Sequence, residues 1–440
     1  MPPMPTDIFA KDFKAEPYWW DDAAPQTCTP DLPAQADLVI VGSGFCGLGA
    51  ARRALELGAK PVVLDAGAIA GGASSRSGAM LSAGQKFLLN GTSDQLGADL
   101  IEALTTAHAE AFDHVRGLAA AYGAPVELFQ PSGRLFLAAV PKDLDRFVGH
   151  ARILSSLAGL TASVLGPQDL QREIRTRHYH GGLLVEDFGG LHPSRFACAL
   201  LKDVQQRGAI VRSHTAVSTV RRVGEGFLVH TPAGDIRTPH VLFATNAYTD
   251  SAQTWVRQRV ARVGSYMIAT EAIGREAVSA LMPTRRMYSD SKRNLWYFRP
   301  SPDGTRILLG ARPGLIPGVP ERAAPLLHRS LAQIFPSLAT VKISHAWSGS
   351  VAMTRSHLQH MGQHEGCWFA VGCNGSGVGI MPWLGQLAVE RMLGARATPT
   401  VFERLPFGRL PNVAGRPWYV PAAAGAFGLM DWLDRRQASL

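Results

Sequence analysis

Leu38-Val39-Ile40-Val41-Gly42-Ser43-Gly44-Phe45-Cys46-Gly47, with Asp65 closing the next apolar run at Pro61 to Leu64, is the stretch that decides the fold. An apolar run ending in glycines reads as a buried strand that turns tightly and lets its backbone approach a ligand. The helix N-terminus that follows faces a pyrophosphate, and an acid on the next strand accepts ribose hydroxyl hydrogen bonds. Leu48, Ala51, Ala54 and Leu55 recur at helical spacing, and the helix from Gly47 to Leu57 stops at Gly58. Asp65 selects a nucleotide with an unphosphorylated ribose, FAD or NAD. The bland alternative is a glycine-rich structural turn.

Outward from that motif, 440 residues allow two or three domains, and 46% apolar content supports sizeable cores. The formal charge of +9 is scattered in pairs such as Arg52-Arg53, Arg221-Arg222, Arg285-Arg286 and Arg435-Arg436, with no basic run of five. That pattern argues for a solvated surface and against a nucleic-acid partner. Cys28, Cys46, Cys198, Cys367 and Cys373 are odd in number and never spaced C-x-x-C. Neither a disulfide framework nor a metal site is expected, which suits a reducing, cytoplasmic location. The beginning of the chain lacks a signal-peptide pattern, and no stretch reaches 18 uninterrupted apolar residues.

Residues 1–35 read as a surface arm anchored by Tyr18-Trp19-Trp20. The nucleotide domain opens at 36–90, where the small-residue loop from Gly67 to Met80 is too long for a standard turn. Residues 91–185 carry packing helices at Leu96 to Ala121 and Leu144 to Leu157. The nucleotide domain resumes over 186–254, with a helix at Pro193 to Gln206, strands at Ile210 to Arg212, Ala216 to Val220 and Phe227 to Thr231, and a buried strand at His240 to Ala247. Residues 255–347 read as an antiparallel domain, with a turn at Asp303-Gly304. Residues 348–398 return to the nucleotide, and 399–440 form a tail whose apolar Pro417 to Leu433 packs on the body rather than on a membrane. The late glycine loop, Gly372-Cys373-Asn374-Gly375-Ser376-Gly377-Val378-Gly379, lacks G-x-G-x-x-G spacing, so it serves the first nucleotide rather than a second one. The fold class expected is α/β, a Rossmann-like domain with a parallel sheet plus an α+β domain on an antiparallel sheet.

In order along the chain, Gly42 to Gly47, Gly72-Ala73-Ser74-Ser75-Arg76-Ser77-Gly78, Ala244-Thr245-Asn246-Ala247-Tyr248 and Gly372 to Gly379 together resemble the FAD-dependent D-amino-acid oxidase and glycine oxidase superfamily. Pro17-Tyr18-Trp19-Trp20, Ala269-Thr270-Glu271 and Gly415-Arg416-Pro417-Trp418-Tyr419 look most like the branch containing gamma-glutamylputrescine oxidoreductase. The resemblance implies an FAD-binding domain joined to a substrate domain. It places Gly42, Gly44, Phe45, Cys46 and Gly47 at the FAD pyrophosphate, Asp65 with Ala66 at the adenosine ribose, where relatives more often carry Glu, and the Val217 backbone at adenine. Gly72, Ala73, Ser74, Ser75, Gly78, Ala79 and Met80 would line the flavin and phosphates, with Arg76 neutralising charge. Ala244, Thr245, Asn246, Gly349 and Gly372 would complete the crevice. Gly375, Ser376, Gly377, Val378, Gly379 and Ile380 would offer amide donors to the ribityl chain and pyrimidine end; the plain alternative for that loop is a helix start.

Flavin oxidation of a C–N bond needs a neutral amine laid against the ring and a polar shell to orient it, with no protein nucleophile. Positioning candidates are Trp296-Tyr297-Phe298-Arg299 and Met353-Thr354-Arg355-Ser356-His357, which the resemblance puts above the ring. Arg299 or Arg355 would grip a carboxylate, Tyr297 and Trp296 would pack on the substrate, and His357 or His360 would take the amine proton. Against this stand core packing for the aromatics and plain surface histidines. The resemblance also implies non-covalent FAD, because Trp347 to Ala352 lacks the tethering cysteine of the sarcosine-oxidase branch. Ile307 to Gly310 lacks that branch's oxygen-activating lysine, which leaves the acceptor open between oxygen, a quinone, another protein and a dye. The expected partner is a small amine or amino acid, possibly an N-substituted amino acid or a gamma-glutamyl polyamine, oxidised to an imine that water hydrolyses. The rivals are an NAD-dependent dehydrogenase and a flavoprotein whose FAD is structural.

Overall fold

The structure, a computed structural model, describes residues 8–83, 86–123, 128–314, 318–412 and 417–438; Gly415 and Arg416 of the quoted tail lie outside them. Two large sheets share one cavity. The first has six strands in the order Ile210–Arg212, Pro61–Leu64, Leu38–Val41, Val241–Phe243, Cys367–Val371, His360–His364. All its pairings are parallel except the last. Its central strands are buried along their whole length, as near-continuous Val, Ile and Leu require once both faces are covered.

The second sheet has nine strands, in the order Phe9–Lys14, Ile343–Met353, Ala261–Thr270, Ile307–Ala311, Trp296–Pro300, Met287–Asp290, Arg134–Leu137, Gly182–Val185, Ala162–Leu165. It is mainly antiparallel, as the sequence reading expects for 255–347, but it recruits strands from far outside that span. Arg134–Leu137 joins it in parallel with Met287–Asp290, and Phe9–Lys14 extends it in parallel beyond Ile343. Residues 9–14 of the amino-terminal segment thus form an edge strand of this sheet, half-buried to exposed, and the aromatic anchor that follows ties the segment to the body. Trp19 is fully buried, its Nε1 donating to the Ser77 carbonyl at 2.9 Å.

Helices form where apolar periodicity places them, at Ala98–Ala121, Asp143–Ala158 and Pro193–Gln206. The strand expected at Ala216 to Val220 is displaced. Thr219–Val223 pairs with Gly226–Thr231 in a small meander, while Thr215 turns back so that its N–H donates to the Asp65 carbonyl.

The helices that follow the two glycine loops, Phe45–Glu56 and Gly377–Met392, cross with their backbones touching. A Cβ at Gly49 would lie 2.4 Å from the Pro382 carbonyl oxygen, and one at Gly385 2.0 Å from that of Cys46. Only glycine allows so close a crossing, and it brings the two loops to the same end of the sheet.

Candidate active site

The early loop begins where Gly42, at φ +103°, donates its N–H to the Leu64 carbonyl at 2.7 Å. A Cβ at Gly47 would lie 1.8 Å from the Gly42 oxygen, so the helix starts directly beneath the strand end. Gly44 at the N-cap offers no side chain, and a Cβ there would meet Ser74 Oγ at 3.0 Å. The same Ser74 Oγ accepts from the Phe45 N–H at 2.9 Å, tying the small-residue loop onto the helix N-terminus. Asp65 stands at the neighbouring strand end. One of its carboxylate oxygens accepts from Ser43 N and Oγ, the other from Gly67 N.

Between the loops, Asn246 at φ +48° points Oδ1 at the N–H groups of Gly372 and Cys373, 3.0 and 3.2 Å away. A polar side chain in the short turn after the buried strand Val241–Phe243 thus fixes the start of the late loop. Asn374 closes that loop from inside, accepting from Thr354 N and donating to the Leu358 and Gly372 carbonyls.

Both loops open onto one cavity of about 1360 Å³. Of the residues the sequence reading selects for the cofactor, Gly42, Gly44, Phe45, Cys46, Asp65, Ala66, Gly72, Ala73, Ser74, Arg76, Gly78, Ala79, Met80, Val217, Ala244, Thr245, Asn246, Gly349, Gly375, Ser376, Gly377 and Val378 line it. Gly47, Ser75, Gly372, Gly379 and Ile380 do not. Gly47 and Gly379 face backbone, the latter with room for a Cβ only 2.6 Å from the Ser82 oxygen. Ser75 is buried behind its loop, donating to the Ala70 carbonyl and accepting from Trp20 Nε1. These residues shape the wall rather than touch its contents. Arg76 lies over the Trp20 ring, 4.3 Å from its centroid, and donates to the Gly71 carbonyl; burial lowers its pKa.

Of the catalytic candidates, Tyr297 and His357 line the cavity and Arg299 and Arg355 do not. Tyr297 shares a 2.8 Å hydrogen bond with Ser265, and burial raises its phenol's pKa. Its neighbour Trp296, one residue along the strand, points the other way, stacked on His178. Arg299 is 1% exposed and donates to the carbonyls of Leu191, Ala79 and Pro300 and to Gln130 Oε1. Its donors are consumed by structure, which removes it as a carboxylate clamp. Arg355 is exposed on the far side of its turn, with Gly408 beside its stem. His360 is buried outside the cavity, bonded to Ser356 and stacked on Phe407, and burial lowers its pKa to about 4. His357, at φ +56°, has its pKa lowered by burial and then by Lys86, so its imidazole is neutral near pH 7.

The sequence reading missed Arg312, Lys86, Arg134 and Ser265, all on the cavity wall. Arg312 was within reach of it: Gly310 pairs with Tyr297, so Arg312, two residues on, shares Tyr297's face. Lys86 and Arg134 come from segments that only the folded chain brings here. The carboxy-terminal helix Val420–Ala438 roofs the far end of the cavity with Phe427, Asp431, Asp434 and Arg435. Asp431, buried, accepts from the N–H groups of Arg293 and Asn294, while Leu429 and Trp432 stay 59% and 48% exposed on its outer side. The helix does pack on the body, along one side only.

The cradle suits a dinucleotide. Glycines crowd its early end, an acid with acceptor oxygens stands beside them, and the volume exceeds the roughly 300–1,000 Å³ of ordinary small-molecule pockets. The family described as DAO, FAD dependent oxidoreductase, matches residues 37–391. This chain belongs to the DAO family. It is an FAD-dependent oxidoreductase, and the rival reading as an NAD-dependent dehydrogenase of another family falls.

Among curated DAO-type relatives, gamma-glutamylputrescine oxidoreductase of Escherichia coli strain K12 is 27% identical over 403 residues, covering 91% of this chain and 93% of the relative. The probable oxidoreductase OrdL of Rhizobium meliloti is 26% identical over 402 residues, with 90% and 92% covered. Among solved structures, glycine oxidase from Geobacillus kaustophilus superposes with a TM-score of 0.70 at 20% identity, covering 87% of this chain and all of that one. L-proline dehydrogenase from P. horikoshii gives 0.69 at 19%, covering 84% and 96%. These likenesses bear out the expected fold class. Among the described residues no helix is long and apolar enough to cross a membrane.

Proposed function

We propose that this DAO-family enzyme oxidises the C–N bond of a small amine or amino acid to an imine, which water hydrolyses. The observation that carries the reading is the single cavity that joins both glycine loops to Tyr297, Ser265 and His357. FAD, when bound, supplies a hydride acceptor at flavin N5. In this reading Gly42, Gly44 and Ser74 seat the pyrophosphate, Asp65 the ribose, and Gly375 to Val378 the pyrimidine end. FAD is held without a covalent bond: the two cysteines on the cavity wall, Cys46 and Cys373, turn their sulfurs to the carbonyls of Ala370 and Ala352, and burial raises the Cys46 pKa to about 12.

The Tyr297–Ser265 pair orients the substrate nitrogen, and neutral His357 accepts the proton that an arriving ammonium must shed. The substrate's α-carbon then gives up a hydride while the nitrogen lone pair forms the C=N bond. Roofing by the carboxy-terminal helix limits water at that moment. The proposed organisation is an FAD domain assembled from 36–90, 186–254 and 348–398, with the substrate wall supplied by 91–185 and 255–347.

Anaerobic mixing of the purified holoprotein with a panel of amines and amino acids tests this. Bleaching of the flavin bands by members of the panel is the expected result. A flavin that no amine or amino acid bleaches would overturn the reading and favour a structural cofactor.

A further inference from the structure

We propose that the outer face of the carboxy-terminal helix Val420–Ala438 pairs, antiparallel, with the same helix of a second copy of this chain. The pairing is independent of which compound the cavity holds.

This helix inverts the usual arrangement, in which charge faces water and apolar side chains face the body. Asp431 and Asp434 point at the body. Asp431 accepts from the Arg293 and Asn294 N–H groups, and Asp434 accepts from Lys142 at 2.6 Å and from Arg293 at 2.8 Å. Asn294 Nδ2 donates to the Ala424 carbonyl at 2.8 Å, tying down the same side. The opposite side presents Ala422, Ala426, Leu429 and Leu433, all exposed, with Met430 and Trp432 on its flanks. From Trp418 to Met430 there is no charged residue. Among the described residues twelve large apolar side chains are exposed; six of them lie between Trp418 and Leu433, while the other six are spread from Leu57 to Leu326. Gathering on one helix marks a docking surface, where scattered exposure would not.

The spacing and sizes on that face select the occupant. Ala422, Ala426, Leu429 and Leu433 follow one another by four, three and four residues, the spacing of a seam that packs on another helix. The first half of the seam is small and the second half is bulky. An antiparallel two-fold centred between Phe427 and Gly428 sets Ala422 of one copy against Leu433 of the other, and Ala426 against Leu429, each contact made twice as such symmetry requires. The bulky half of each helix then fills the room left by the small half of its mate. A parallel pair would set alanine on alanine and leucine on leucine, loose at one end and crowded at the other. The six exposed side chains leave roughly 600 Å² open per chain, so two copies together hide about 1,200 Å², within the range of specific interfaces.

A lipid surface fits this face less well. A helix that lies on anionic lipid carries Lys and Arg along its polar side. Here two Asp and two Arg cancel along the helix, both acids are engaged by the body, and the alanines of the first half offer little to insert. Because Phe427, Asp431, Asp434 and Arg435 of the same helix line the cavity, pairing also holds its roof in place.

Sedimentation velocity of the full-length holoprotein over a dilution series tests the proposal, with flavin content and circular dichroism confirming that each variant is folded. The native chain should sediment as a dimer, and Leu429→Asp should weaken the pairing about ten-fold or more. Ala426→Leu should weaken it too, although it adds apolar surface, because it fills the space that Leu429 of the other copy needs. Ala422→Lys and Leu433→Glu should each be monomeric alone and pair when mixed, since only the mixed pair joins the new charges and keeps one native contact. A native chain that stays monomeric at every concentration overturns the proposal, as does a dimer that Leu429→Asp or Ala426→Leu leaves intact. A mixture that fails to pair overturns the antiparallel arrangement. Monomeric native protein that floats with phosphatidylglycerol–phosphatidylethanolamine vesicles, and floats better as Ala426→Leu, would assign the face to lipid instead.

Discussion

The two walls of the cavity present their chemistry by different means. The parallel-sheet wall works through backbone: glycines at 42, 44 and 375 let main chain approach the contents, and Asn246 and Asn374 hold the loops in place. The antiparallel wall works through side chains, with Tyr297 and Arg312 on neighbouring strands. A backbone wall fails completely when a Cβ intrudes. A side-chain wall fails by degrees, according to which donors are already used.

The harshest way to strain that comparison is Gly385→Leu, at the crossing of the two loop-bearing helices. The added side chain meets the Cys46 carbonyl at backbone distance, and main chain cannot step aside. The cost should exceed the roughly 1–3 kcal/mol of ordinary core overpacking, read as loss of soluble folded protein or a large drop in melting temperature. A variant as stable as the native chain would mean that the helices do not touch there.

Acid provides a milder strain, because buried histidines brace both walls. His150, His192 and His360 are buried, and their pKa values fall from 6.5 to about 4 with desolvation the largest cause. Such a base binds protons more readily unfolded than folded, so stability is full above pH 6.5 and declines as pH falls from there toward 4. Between pH 6.5 and 5 the loss should be about 1.5 kcal/mol for each of the three. Melting temperature across that range checks it, and a flat profile would show the histidines to be charged or solvated.

Arg299→Met is the smallest and sharpens the side-chain half. The Leu191 carbonyl and Gln130 Oε1 each lose a donor, while the Ala79 carbonyl keeps the Leu191 N–H, at a cost of about 2 kcal/mol. Substrate discrimination should stay as it was. Altered discrimination at unchanged stability would put Arg299 back at the substrate.

The difference between the walls also explains what could be read from sequence. Glycine spacing reports backbone geometry directly, so Gly42, Gly44, Asp65 and the middle of the late loop, Gly375 to Val378, were legible, as was the buried strand that leads into Asn246. Which arginine faces the substrate depends on strand pairing and on which carbonyls happen to lie nearby. Tyr297 and Arg299 share a strand face, yet only Tyr297 reaches the cavity, because Ala79 and Leu191 intercept Arg299. Lys86 and Arg134 sit in segments with no motif, and only the sheet's recruitment of Arg134–Leu137 brings the latter in. Gly49 and Gly385 look like ordinary helical glycines until the two helices cross. The amino-terminal strand Phe9–Lys14 was hidden for a similar reason: its partner lies more than 300 residues away.

One FAD held jointly by the early and late glycine loops is what everything else here requires. The most direct measurement is the flavin-to-protein ratio of Gly44→Val and Gly375→Val, each verified as folded by circular dichroism. Native protein should carry one flavin per chain, and both variants should be nearly colourless. A folded Gly375→Val chain carrying its full flavin would contradict it.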